Sequence, residues 1–386
     1  MRFGRYSHLA RFLQGLSAAL LFPQVYACIR VNFDGENSRR AFGFLGMTLG
    51  LAAIAGQTLG GWMLAANLWE LQWRSIFLVN IPIGILALIL SGYINESVAQ
   101  EKPGLDFVGV ALSSIGIFSL MLPLLIGPTL GWPVWCWGLF LFAFLMLLQF
   151  VRHEKAYAKR GKVLLFDLIL LKNKQFGLGC LLILFIYSTS SSLFLVLALF
   201  LQKGLGFNAL EAGLIFAPAS IGFVLSSLSA PYWIKRFGNH VLTIGTLLYV
   251  ISFIALIIFI AILPPISSSM TFPFFVGVVP ILLLLGYGQG FIMTPLLNVI
   301  LAFVHVRFAG MASGVIATLQ QIGAAFGVAV VSVFIQRHIN NVDPISFLAY
   351  QNAFVQSMLY NVFAIFVVCY LLKKLLRTEN LAQKNN

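Results

Sequence analysis

A charged side chain buried in lipid is costly and is normally kept for function, so the ionisable groups inside apolar stretches are the first candidates for chemistry. The sequence carries 24 Lys and Arg and 11 Asp and Glu. Of these, Arg11 and Asp106 fall within runs apolar enough to sit in a bilayer. Arg11 lies one turn inside its run, where it either serves a function or extends back to the surface. Asp106 opens its run just after Pro103 and Gly104, a position that the positive end of a helix dipole explains by itself. His240 begins a run beside Lys235 and Arg236 and reads as interfacial, while His8, His153, His305 and His338 are isolated and make no metal-ligand spacing. Cys28, Cys136, Cys180 and Cys369 share no paired spacing, so they read as packing residues; no metal site and no cofactor is expected.

Uncharged polar groups are the next candidates. Gln14, Gln24, Gln289, Asn298, Gln320 and Gln321 are placed to face a cavity, some of them as interhelical hydrogen bonds. Asn80 and Pro82 share a run, where the proline frees a carbonyl that a polar neighbour can satisfy, which predicts a kink. No glycine-rich phosphate loop is present, so ATP-driven transport is not encoded in this chain. A membrane-embedded transferase would need convergent His, Asp or Glu at one membrane face, and the sequence shows no such cluster.

The elements that position these residues follow from composition. Of 386 residues, 60% are apolar and 9% charged, and the mean hydropathy is +0.96. A water-facing globule could not hide that much apolar surface. Eleven candidate spans run over 7–28, 42–65, 75–94, 105–126, 134–151, 176–200, 212–232, 240–262, 273–296, 312–335 and 355–372. Each must be helical, because a backbone in hydrocarbon pairs within its own segment and these runs lack the alternation of a barrel strand. The expected fold is therefore an all-α transmembrane bundle of about eleven helices.

The net charge of +13 would suit nucleic acid in a soluble protein, but the basic residues sit in short loops, so no nucleic-acid partner is expected. They orient the chain instead. Alternate loops hold 18 and 5 Lys and Arg, which places the C-terminus in the cytoplasm, the 18-charge side. With an odd number of spans the N-terminus falls outside, which the basic Arg2 and Arg5 oppose. The expected division is a partial N-terminal half (1–94), two extra helices (95–151), a basic linker (152–175), a six-helix half (176–372) and a cytoplasmic tail (373–386). Within the linker, 163–171 reads as an amphipathic stretch on the bilayer surface.

An internal repeat sharpens this reading. Gly46, Gly50, Ala53, Gln57 and Gly60 in the second span match Gly310, Gly314, Ala317, Gln321 and Ala324 in the tenth, at the same spacings and on one helix face. A face of small residues lets another helix come close, so both stripes are expected to pack. The tenth span is the fifth of the six after the linker; its match has a single span before it. Three helices would then be lacking upstream, and restoring them would also return the N-terminus to the cytoplasm.

The residues now carry a family likeness. The run ARFLQGLSAA at 10–19 resembles the fourth-helix motif of major facilitator superfamily drug:proton antiporters. GLAAIAGQTLGG at 50–61 resembles their fifth-helix motif, with Gln57 where proline is usual, and WRSIFLVNIPIG at 73–84 looks like the start of the sixth helix in the fourteen-helix branch. The chain resembles helices four to fourteen. This resemblance implies an exporter of hydrophobic, drug-like compounds coupled to protons, with no enzymatic activity and a bacterial inner membrane as its place. It implies that Arg11, with Gln14, serves proton coupling or lines the cavity, and that Gly50, Gly56, Gly60 and Gly61 pack the antiporter helix, as Gly310, Gly314 and Gln321 pack its repeat partner. The first helix with its embedded acid would lie upstream of Met1, so the 386 residues alone are expected to export poorly or to be a non-transporting remnant.

Overall fold

The computed structural model describes residues 2–66, 70, 74–92, 106–160, 170, 173–264, 271–339 and 347–384. The described residues form α1 (Arg2–Asn32), α2 (Gly35–Ala66), α3 (Ser75–Leu78), α4 (Asn80–Ser91), α5 (Phe107–Ile126) and α6 (Val134–Lys159). Six longer elements follow: α7 (Lys174–Leu199), prolonged by a π turn at Phe200–Gly204, α8 (Ala209–Phe237), α9 (His240–Ala261), α10 (Thr271–Ala302), α11 (Ala309–Ile339) and α12 (Phe347–Lys384). Among the described residues ten helices are long and apolar enough to cross a membrane, and the protein is an integral membrane protein with an all-α bundle fold.

The helices overrun the expected spans because their polar ends continue the helix beyond the apolar run. α6 passes 151 and continues to Lys159, which draws His153 and Glu154 into the bundle. The third span departs most from expectation. Its helix stops at Leu78, turns at Val79 and restarts as the twelve-residue α4, none of whose residues is buried. Pro82 lacks the N–H that would bond the Leu78 carbonyl, so the interruption falls one turn ahead of it, at Val79, which keeps helical φ and ψ of −65° and −22°. Residues 93–94, the rest of that span, and most of the 163–171 stretch lie outside the described residues.

The core lies among α7 to α12. Phe176, Ile186 and Leu197 of α7, Phe253 of α9, Leu282 of α10 and Phe354 of α12 are fully or almost fully buried and belong to one cluster, which Tyr26 of α1 and Phe42 of α2 join from outside. α5 and α6 form a separate antiparallel pair resting against α11. Helices α5, α7, α9 and α11 start, and α6, α8, α10 and α12 end, next to the basic loops; we refer to this as the basic end of the bundle.

Candidate functional site: an apolar cavity and the α2–α8 seam

Both glycine stripes of the internal repeat can be followed atom by atom. On α2 a Cβ added to Gly46 would lie 2.6 Å from the hydroxyls of both Ser227 and Thr294, and one on Gly50 would lie 2.5 Å from Val224. Farther along, a Cβ on Gly61 would meet the Leu210 backbone at 2.8 Å. These three glycines lie within roughly 60° of one another around the axis, and α8 packs along that line. Gly56 and Gly60 lie roughly 120° and 80° from Gly50 on the helical wheel. Among the described residues nothing lies within 4 Å of a Cβ added to either, although Gly60 is buried.

On α11 the stripe meets no helix. Gly310 and Gly314 have nothing within 4 Å of an added Cβ, and Gln321 is exposed. The close approach is on the opposite side, where Gly323 and Gly327 meet the backbone carbonyls of Leu184 and Ser188 in α7. Nine residues separate Gly314 from Gly323, roughly half a turn of rotation. Among the described residues, α11 makes its close contact with α7 through this other face and not through Gly310, Gly314 and Gln321. Its buried glutamine is Gln320, which donates to the Tyr26 hydroxyl of α1 at 3.1 Å. The side chain of Gln57 of α2, which the repeat pairs with Gln321, lies outside the described residues.

The bare stripe forms one wall of a cavity of about 860 Å³. Ser113 and Ile117 of α5, Phe150 of α6, and Gly177, Leu181 and Leu184 of α7 supply the other walls. No charged side chain lines it among the described residues. Its hydroxyls are already committed, Ser113 donating to the Gly109 carbonyl at 2.8 Å and Thr318 to the Gly314 carbonyl at 2.9 Å. What remains for a guest is apolar contact, as in a site for an uncharged hydrophobic compound.

The polar residues singled out from sequence are dispersed. Arg11 is exposed and its guanidinium lies 4.3 Å from the centre of the Phe77 ring, while Gln14 and Gln24 are exposed on α1. None of the three lines the cavity. Asn80 is exposed at the start of α4. Gln289 donates to Ser190 at 2.9 Å, tying α10 to α7, and Asn298 accepts from Ser38 at 2.9 Å, tying α10 to α2.

Asp106 caps α5 by accepting from the Gly109 N–H at 3.0 Å, as the helix-start reading expects. It is, however, 4% exposed, and His153 Nε2 lies 2.9 Å from its Oδ2. His153 is therefore not isolated. Fully buried Glu154 stands beside it, with Glu154 Oε1 3.1 Å and Asp106 Oδ2 2.4 Å from the Cβ position of Gly109. The 47 residues between Asp106 and His153 hid this pairing, and the signal that could have revealed it is polar residues at facing ends of adjacent antiparallel helices.

Comparison with known proteins agrees with the fold. The family model of the Major Facilitator Superfamily matches residues 7–328. A probable actinorhodin transporter of Streptomyces coelicolor is 35% identical over 83% of this chain and 55% of its own. Multidrug resistance protein Stp of Mycobacterium tuberculosis is 28% identical over 83% and 57%. The tetracenomycin C resistance and export protein of Streptomyces glaucescens is 26% identical over 86% and 60%. The chain thus spans little more than half the length of these relatives. With a family match over most of its length and a bundle of apolar helices to accompany it, the chain belongs to the Major Facilitator Superfamily.

Proposed function

We propose that the protein exports hydrophobic, drug-like compounds across a bacterial inner membrane in exchange for protons, and that the 860 Å³ apolar cavity is where it holds them. The cavity carries this reading: its walls offer apolar surface without charge, which selects for hydrophobicity over shape-specific polar groups. The relatives' names, a transporter, a multidrug resistance protein and an export protein, support the same assignment. In it, α1 to α4 belong to one half, α5 and α6 are inserted helices, α7 to α12 form the other half, and the basic end with the C-terminus faces the cytoplasm. Arg11 and Gln14 serve proton coupling at a distance from the cavity, and Gln24, Asn80, Gln289 and Asn298 are the polar positions placed to shape the passage.

Binding of a fluorescent lipophilic dye to the protein in nanodiscs tests the assignment. Gly314→Phe, which projects a ring into the cavity, is expected to weaken binding about tenfold, the equivalent of about 1.4 kcal/mol. Gly138→Phe, also in open space but away from the cavity, should leave binding unchanged. Equal affinity in both variants would exclude the cavity as the site. Arg11→Ala should leave dye affinity intact while removing the dependence of dye movement on a proton gradient in inverted vesicles.

A further inference from the structure

Arg30, in the last turn of α1, belongs to neither the cavity nor the residues singled out from sequence. Its side chain is 17% exposed. Nε donates to the Leu301 carbonyl at 3.0 Å and Nη2 to the Val304 carbonyl at 3.4 Å, while Nη1 faces Asp34 Oδ1 at 3.5 Å. Leu301 lies in the last turn of α10 and Val304 two residues past its end, where helix carbonyls run out of intrahelical partners and the dipole concentrates negative charge; the Leu301 carbonyl also accepts from the Val304 N–H at 3.2 Å. Asn173, the N-cap of α7, donates to the intervening Phe303 carbonyl at 3.2 Å. One turn deeper on the same face of α1, the buried Tyr26 hydroxyl meets Gln320 of α11.

We propose that Arg30 is a latch: seated on the C-terminal carbonyls of α10, its guanidinium holds the basic end of α1 against the six-helix unit and must leave them before that end can open. Two features favour a latch over a fixed strut. The carbonyls it covers can be taken over by water once the helices part. The contact is also at one end: among the described residues the side-chain hydrogen bonds that cross here are those of Arg30, Tyr26 and Ser38, beside the close packing of Gly43 and Gly46 of α2 on α8. Arg30 is in this sense a positioning residue for alternation between states, and the inference requires no particular substrate.

The test reads opening directly. In membranes containing the chain with its four cysteines replaced by alanine, Ala27→Cys reports the latch end and Ala212→Cys, in the first turn of α8 and part of the core cluster, reports the opposite end of the bundle; both positions are buried. Arg30→Ala should speed labelling of the Ala27→Cys thiol by a polar maleimide about tenfold and leave the Ala212→Cys thiol unchanged. Arg30→Lys, a point charge that cannot cover two carbonyls at once, should fall between. Arg40→Ala, which breaks an exposed pair with Glu36, should label as the parent does. If Arg30→Ala does not reach the membrane, Arg30→Gln, which keeps donors but loses the charge, should show the same end-specific acceleration. Parental rates in the Arg30 variants, or equal acceleration at both reporters, would overturn the latch. Dye binding is not part of this readout, so loss of the cavity assignment and loss of the latch are separable results.

Discussion

The two glycine stripes share spacing, residue types and a polar residue at the same register, yet α2 buries its stripe against α8 and α11 leaves its own open to a cavity. A stripe of small residues states how closely a helix can be approached; it says nothing about by what. On α2 the approach is made by side chains of α8 and α10 lying against the glycines, and the space left by the glycines' lack of side chains allows Ser227 and Thr294 to hydrogen-bond at 3.0 Å directly above Gly46. On α11 the same lack of side chains creates volume, and helix contact passes to Gly323 and Gly327 half a turn away.

This contrast sets the largest expected effect. Gly50→Leu would drive a branched side chain into Val224 and Phe223, and overpacking of this kind costs about 3 kcal/mol or more where backbone cannot yield. Thermal unfolding in detergent should show a much lower midpoint, or the variant should fail to accumulate in the membrane. A stable, well-folded Gly50→Leu would break the comparison at its packed side.

A smaller effect is expected where α11 does pack. Gln320→Leu removes one of the partners of the buried Tyr26 hydroxyl, which also bonds Tyr187, at a cost of up to about 1.5 kcal/mol, and adding Tyr26→Phe should cost less than it does in the parent. A double-mutant cycle measures this coupling. Additive losses would mean that the pair does not join α1 to α11. The third effect concerns the wall opposite the bare stripe: Asp106→Ala removes the cap of α5, and about 1 kcal/mol is expected from that alone, read as a lowered midpoint. A midpoint equal to the parent's would mean that the cap does not hold this wall.

Much of the fold was legible because lipid leaves few choices. Ten of the expected spans correspond to long helices, since an apolar run of that length has no other way to satisfy its backbone. In the third span Asn80 and Pro82 marked the interruption, but hydropathy averages over them and does not show that the helix divides into two elements at Val79. The cavity was less legible still. Gln320 and Gln321 are one residue apart, roughly 100° of rotation, and which of them turns inward is decided by the neighbouring helices. The same holds for His153 and Asp106, and for Arg30, which looks in sequence like one more orienting charge and in three dimensions covers the end of another helix.

The smallest expected effect is the most informative about the bare side. Gly314→Leu adds a side chain where an added Cβ would touch nothing within 4 Å, so no clash opposes it. Leucine also favours helix over glycine by up to about 1 kcal/mol in an exposed interior position, so the sign should be neutral to slightly stabilising. The unfolding midpoint is therefore expected to stay level or rise a little, while dye binding falls as it does for Gly314→Phe. That dissociation of stability from binding is what an open cavity wall requires. If Gly314→Leu were instead as damaging as Gly50→Leu, the stripe on α11 would be covered by a helix in the assembled protein, the two stripes would be equivalent, and the 860 Å³ would be a helix-binding groove and not a site for a small compound.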